Sequence, residues 1–306
     1  MIQKQIPEDD TMYFLLYVFG CIIAQYNDIF LFKKYQLEIG SSLRTNVMYL
    51  TLAGLVYAGV SALALVLLKK PFAFSWYSLL FATGVVIACA IYMVILLKTY
   101  EWGQIATAMI FSSMGSIILS CGCGIVLLHE GLTVLKVVAI LFMLTALILI
   151  TDRGGEKTNK KLIPLYLLLS VCASGVTMMY KYHSISAPSL AVDSYNFSMY
   201  VGLMRAFLFT FFIPPLIKIH GKGSMRHTRK SFAFAVISAV VVTVSQIMVL
   251  ISLGFIPVSV ASPLSTGIAI LSSVLIPWLC YHEKLTRKQI AGAVFSLIGA
   301  TLFVFQ

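Results

Sequence analysis

His129-Glu130-Gly131-Leu132-Thr133 and His282-Glu283-Lys284-Leu285-Thr286 are identical at four of five positions and stand 153 residues apart in a chain of 306. Aliphatic residues match by accident in a leucine-rich sequence, whereas a shared His-Glu-x-Leu-Thr does not. The same offset places Tyr13, Leu15, Leu16 and Val18 on Tyr166, Leu168, Leu169 and Val171, and Phe81-Ala82 on Phe234-Ala235. It also matches Ala108, Ser112, Ile117 and Ser120 with Ala261, Ser265, Ile270 and Ser273. The chain reads as a duplication: residues 1–150 form one copy, 151–163 a polar linker and 164–306 the second.

Each copy is built of apolar runs. Hydrophobic residues make up 60% of the chain and charged residues 11%, with a mean hydropathy of +0.96. A soluble protein carries roughly a quarter charged residues. A helix needs ~20 apolar residues to cross ~30 Å of hydrocarbon, and ten runs approach that length: about 13–32, 46–68, 75–97, 104–128, 132–150, 164–184, 194–217, 231–253, 258–281 and 287–305. The expected class is an all-α membrane protein. Residues 1–11 hold Glu8, Asp9 and Asp10 and no basic region, so the first span is expected to remain rather than be cleaved as a signal peptide.

Five spans per copy is an odd number, so the second copy enters the membrane from the opposite face. The expected architecture is two inverted five-helix repeats around a central cavity. Such repeats place a substrate site near the midplane and expose it to either side in turn by rocking one half against the other.

The net charge of +11 does not indicate nucleic acid, because the basic residues lie in short turns between spans. Five of these connections, on one expected side, hold 16 Lys and Arg, against five on the other. The positive-inside rule then puts both termini outside. Six cysteines, Cys21, Cys89, Cys121, Cys123, Cys172 and Cys280, fall in apolar runs and read as small buried hydrophobes. No metal site, cofactor or catalytic constellation is expected. His-Glu lacks the second histidine of a zinc-protease motif, and the one deep carboxylate, Asp28, has no nucleophile or second acid beside it in sequence.

Ionisable groups inside the spans carry more weight, since a charge at the bilayer centre costs at least ~2.5–3.5 kcal/mol on insertion scales. Asp28, Lys181 and Arg205 qualify. Arg205 lies near the middle of the seventh span and cannot shed its proton, so it needs an anion, carbonyls or water. Asp28 and Lys181 occupy equivalent places in the two copies. Inversion sets them on opposite sides of the midplane, which argues against a salt bridge and for charges lining two vestibules, with snorkelling of Lys181 the competing reading. Gln25, Tyr92, Tyr200 and Gln246 are candidate cavity-lining polar groups. Pro263 interrupts the ninth span and frees a carbonyl that protein, water or substrate must satisfy. Aromatic faces with a few hydrogen-bonding groups suit an amphipathic solute, organic cations included.

Glu130 and Glu283 read as acids favoured by the positive end of a helix, with substrate or proton handling the alternative. Thr286 with Gln289 forms a capping box, and Thr133 is placed as the cap of the fifth span. Small residues recur every four positions at Gly54, Ala58 and Ala62, at Gly84 and Ala88, and at Gly292, Ser296 and Ala300, which predicts close packing seams. A homodimer through one of these seams is the minor alternative.

Ten spans as five plus five, with Glu130 and Glu283 closing the fourth and ninth before small residues such as Gly292, Gly299 and Ala300, resemble the drug/metabolite transporter (DMT) superfamily of EamA type. His129 and His282 stand where that family usually has Gly. The resemblance implies a secondary transporter of a small organic metabolite in a bacterial plasma membrane, and no enzyme. With Asp28 and Lys181 offsetting each other, Arg205 leaves one positive charge near the midplane, which favours an amino-acid-like zwitterion or an anion. Quaternary amines held by the tyrosines are the alternative, followed by a lipid-linked-sugar flippase and an intramembrane enzyme. The expected partners are the solute and the lipid bilayer, with proton coupling compatible with the buried charges.

Overall fold

The structure, a computed structural model, describes residues 10–39, 43–101, 105–151, 162–220, 229–282 and 286–304. Among these residues there are ten helical rods and no strand. The first rod is composite: α1 (Asp10–Tyr26) passes through a π-helical turn (Asn27–Leu31) into α2 (Phe32–Ile39). The others are α3 (Leu43–Leu67), α4 (Trp76–Glu101), α5 (Ile105–Leu128), α6 (Val134–Thr151), α7 (Ile163–Ile185), α8 (Ser194–His220), α9 (Arg229–Leu253), α10 (Val258–Tyr281) and α11 (Arg287–Val304). Seven rods are long and apolar enough to cross a membrane, judged on the described residues alone. Large apolar side chains such as Leu80, Val126, Val134 and Phe207 are exposed on the outside of the bundle. Exposure of this kind suits hydrocarbon, not water.

The ends of these helices follow local chemistry. Lys69 takes the left-handed conformation (φ 53°), with Lys70 N–H donating to Leu65 O at 2.9 Å and Lys69 N–H to Val66 O at 3.1 Å. This is a Schellman ending to α3, and Pro71 prevents the helix from resuming. Gln289 Oε1 accepts from Thr286 N at 2.9 Å, while Gln289 N donates back to Thr286 Oγ1 at 3.3 Å, completing the expected capping box. Thr133 Oγ1 caps α6 through Lys136 N at 3.3 Å.

The packing pairs repeat when the first five rods are exchanged for the last five. α1 lies on α9 and α10 as α7 lies on α4 and α5, α3 meets α9 as α8 meets α4, and α3 on α8, α5 on α10 and α6 on α11 pair each rod with its own counterpart. The seams are as tight as the small residues allow. A Cβ added at Gly202 would stand 2.5 Å from Ala58 N, and one at Gly54 2.6 Å from Ala206 N, so α3 and α8 are in backbone contact. Ser61 Oγ donates to Ser198 Oγ at 3.0 Å across the same seam. Ser296 Oγ donates to Gly267 O at 2.9 Å, tying α11 to α10.

Turns between rods are fastened across the midpoint of the chain. Asn196 Nδ2 donates to Pro71 O at 3.0 Å and its Oδ1 accepts from Ala73 N at 3.2 Å, clasping the α3–α4 turn to the start of α8. Glu130, in the α5–α6 turn, accepts from Val258 N at 2.7 Å and Ser259 N at 2.8 Å. Its carboxylate therefore caps the first turn of α10, in the other half of the chain, rather than the helix that follows it in sequence. Lys136 Nζ joins it by donating to Ser259 Oγ at 3.2 Å and to Gly131 O at 2.8 Å. Glu283 lies outside the described residues.

Candidate functional site

Four rods line a half-open cavity of about 200 Å³. It is lined from α1 by Tyr17, Cys21, Ala24 and Gln25, from α7 by Val176, Thr177 and Tyr180, from α9 by Ser245, Gln246, Val249 and Leu253, and from α10 by Ser265. Pockets for drug-sized ligands run to ~300–1,000 Å³, so this space suits a smaller metabolite. Tyr17, Thr177 and Ser265 donate to the carbonyls of Ala261, Ala173 and Ser262, while other polar groups of the lining are uncommitted. Gln25 and Gln246 form no hydrogen bond with the described residues, and the buried Ser245 Oγ has no partner. Two of the expected site residues are thus brought together, on rods at opposite ends of the sequence.

Arg205 lies within electrostatic range of Tyr180, at the edge of this cavity, and of Tyr49, Tyr57 and Cys89. Its guanidinium carbon is 5.7 Å from the centre of the Tyr57 ring. Nε is buried with no partner, and no hydrogen bond or ion pair joins the side chain to a described residue. A half-buried guanidinium without a partner inside an apolar span is costly, because its charge cannot be neutralised by deprotonation.

Asp28 is in electrostatic range of Arg205 without forming an ion pair with it. It sits on the π-helical turn, an insertion that breaks the α-helical ladder and frequently accompanies functional sites. The side chain is exposed, although its neighbour Asn27 is 1% accessible. Asn27 Nδ2 donates to Asp28 Oδ1 at 3.1 Å, and Ser238 Oγ donates to Asn27 Oδ1 at 2.7 Å. Tyr49 Oη lies 2.6 Å from Ser238 Oγ, and since the serine proton is given to Asn27, the tyrosine is the donor.

The remaining expected residues lie elsewhere. Lys181 Nζ donates to Leu253 O and Ile256 O, both at 2.7 Å, and so closes the C-terminus of α9. The lysine is 6% exposed and makes no ion pair with Asp28. A cation at helix-terminal carbonyls satisfies groups that hydrocarbon cannot, which accounts for its burial without a vestibule. Tyr92 does not reach the cavity: it packs with Ile95, Tyr166 and Leu169 and accepts from Ser112 Oγ at 3.2 Å. Tyr200 Oη donates to Ala73 O at 2.6 Å and belongs to the clasp on the α3–α4 turn. Pro263 is buried within α10. The carbonyl it deprives of a helical donor is that of Ser259, and the Cys121 thiol donates to it at 3.6 Å. The freed carbonyl is thus met by protein.

Ser245, Ser238, Tyr49 and Tyr57 were not legible as site residues. Serine and tyrosine are common in these spans, and only the packing of α9 on the first rod and of α3 between that rod and α8 singles these four out. No group of three or more metal-ligating side chains occurs among the described residues.

A membrane-type helical bundle with a half-open cavity and unpaired polar groups defines a class, and comparison with known proteins narrows it. Residues 160–305 match the EamA-like transporter family. That stretch of the chain is similar to the EamA-like domains of the drug/metabolite transporter superfamily. The long apolar helices are those of an integral, multi-pass membrane protein, and the family that the second half of the chain matches is one of transporters. One crystal structure superposes with a TM-score of 0.77 over 96% of this chain and 98% of its own, at 14% sequence identity, a likeness of fold alone. No curated protein matches the sequence.

Proposed function

We propose that the protein is a secondary transporter that anchors an anionic or zwitterionic metabolite, amino-acid-like in size, on Arg205. The observation that carries this reading is the guanidinium itself, held among Tyr49, Tyr57, Cys89 and Tyr180 with no carboxylate or carbonyl among the described residues committed to it. Its planar fork matches a carboxylate in two hydrogen bonds. Gln25, Gln246 and Ser245 supply further donors and acceptors from the cavity wall. The exchange symmetry of the packing pairs supports two inverted repeats, which move the loaded centre by rocking against each other in a plasma membrane. Both termini outside is the orientation that the charge bias supports.

Arg205→Ala should abolish saturable uptake of the solute into proteoliposomes while leaving a folded protein by size and thermal midpoint. Arg205→Lys should recover only part of it, because an ammonium cannot reproduce the fork. Screening amino acids, carboxylates and quaternary amines against these variants decides the reading. Uptake of choline-like cations that ignores amino acids and survives Arg205→Ala would assign the site to the aromatic residues instead.

A further inference from the structure

We propose that the cavity between α1, α7, α9 and α10 selects an uncharged, carboxamide-type group of the solute, read by Gln25, Gln246 and Ser245. The inference rests on the transporter reading above and adds the chemistry of the solute's other end, the part that does not dock on Arg205. No Asp, Glu, Lys, Arg or His stands among the described residues that line the cavity. Lys181 follows the lining residue Tyr180 in sequence, but its Nζ is committed to Leu253 O and Ile256 O at 2.7 Å each. A second charge carried into this space would give up water without meeting a counter-charge in the lining, and that loss is heavily penalised.

The wall is held in place from the side of α1. Tyr17 Oη donates to Ala261 O at 2.8 Å and joins α1 to α10. Gly20 lets α1 lie directly on α9, since a Cβ there would stand 3.0 Å from both Ser245 O and Val249 Cγ2. The protons of Tyr17, Thr177 and Ser265 are already given to backbone carbonyls, so these hydroxyls can only accept. The groups left to meet a solute include the Gln25 and Gln246 carboxamides and Ser245 Oγ, which is buried without a partner.

These groups ask for both donors and acceptors. Each glutamine offers an NH2 that only donates beside an oxygen that only accepts, and the serine hydroxyl does both. A carboxylate accepts only and leaves the two glutamine oxygens unanswered. An ammonium donates only and leaves the two NH2 groups unanswered, and an alkyl chain serves neither. A carboxamide carries donor and acceptor side by side without charge, and Val176, Val249 and Leu253 give its methylene carbons an apolar wall. Polar groups left unpaired out of water cost more than a made hydrogen bond gains, which turns this match into selection. Gln25 and Gln246 come from α1 and α9, so the selecting pair exists only where the two halves of the chain pack together.

Protection of Cys21 tests this on the full-length protein. The residue lines the cavity, and with the other five cysteines replaced its alkylation by N-ethylmaleimide reports occupancy. Glutamine, glutamate, lysine and norleucine share one backbone and differ at the end of the side chain. Glutamine should half-protect at a concentration at least about tenfold below the others, the effect of one or two unmade hydrogen bonds. In Gln25→Leu and Gln246→Leu its advantage over norleucine should disappear while norleucine still protects, which shows a folded cavity. Ser245→Ala should cost glutamine about two- to tenfold and norleucine nothing, and it carries the test where a leucine variant does not fold. Protection by none of the four, glutamate or lysine protecting as well as glutamine, or a preference unmoved by all three variants would overturn the proposal. Butyramide, which has the amide and no carboxylate, separates this from failure of the Arg205 reading. Butyramide protecting as well as glutamine, unaffected by Arg205→Ala, refutes the anchor and keeps the selection. Equal protection by all four amino acids, lost in Arg205→Ala, refutes the selection and keeps the anchor.

Discussion

At the scale of single residues the two histidines of the repeated motif show what a sequence pattern can conceal. His129 and His282 both have φ of 54°, in the left-handed region where a Cβ is unfavourable and glycine is not. Geometry therefore accounts for the glycine usual at these positions in the resembled family, and both side chains are exposed. His129→Gly should raise stability by about 0.5–1 kcal/mol, relief of backbone strain exceeding the entropy lost from the unfolded chain. The check is the thermal midpoint in detergent, where a fall would show that the imidazole holds the turn. The carboxylate beside it was legible as a helix-end acid, but its helix was not. Sequence proximity pointed to α6, whereas Glu130 binds the first turn of α10 at 2.7 and 2.8 Å. The same limit applied to Lys181, whose two carbonyl partners lie more than seventy residues away. Burial of a charge can be read from an apolar run, but the group that satisfies it comes from another part of the chain.

At the scale of elements the spans were legible because hydrocarbon sets both their length and their composition. The sixth, expected over 164–184, is observed as Ile163–Ile185. The first was not fully legible: expected over 13–32, it extends to Ile39 through a π-helical turn that no periodicity announced. A π-helical turn adds one residue to the ladder at no cost in hydropathy, so composition cannot show it. It decides where Asn27 and Asp28 face. Small-residue seams were readable, and α3 against α8 permits a sharp test. A methyl at Gly202 would meet Ala58 N at 2.5 Å, and backbone cannot move aside as a flexible side chain would. Gly202→Ala should lower stability by about 1–3 kcal/mol, as overpacking does elsewhere, measured as a drop in thermal midpoint. Gly122→Ala, where nothing lies within 4 Å of the added atom, is the control and should change little. Equal effects at both positions would mean that helix propensity, not the seam, sets the outcome.

At the scale of the whole molecule the clasp between halves makes the proposed rocking motion measurable. Asn196 and Tyr200, at the start of α8, hold Pro71 and Ala73 of the α3–α4 turn through three hydrogen bonds. If access to the cavity from this side requires the halves to part, those bonds must break in each cycle, and weakening them must enlarge the fraction open on this side. A neutral hydrogen bond contributes about 0.5–1.5 kcal/mol. Asn196→Ala removes two of them, about 1–3 kcal/mol together, and should raise that fraction roughly five- to 150-fold. Cys21 reports it directly, since the residue lines the cavity and is 7% accessible in this structure. With the other five cysteines replaced, a membrane-impermeant maleimide supplied on the side of the α3–α4 turn should label Cys21 faster in Asn196→Ala than in its parent. From the opposite side, labelling should slow, because the two open states draw on one population. Faster labelling from both sides would instead mean that the bundle has loosened, and unchanged labelling would place the moving boundary away from the line between the halves.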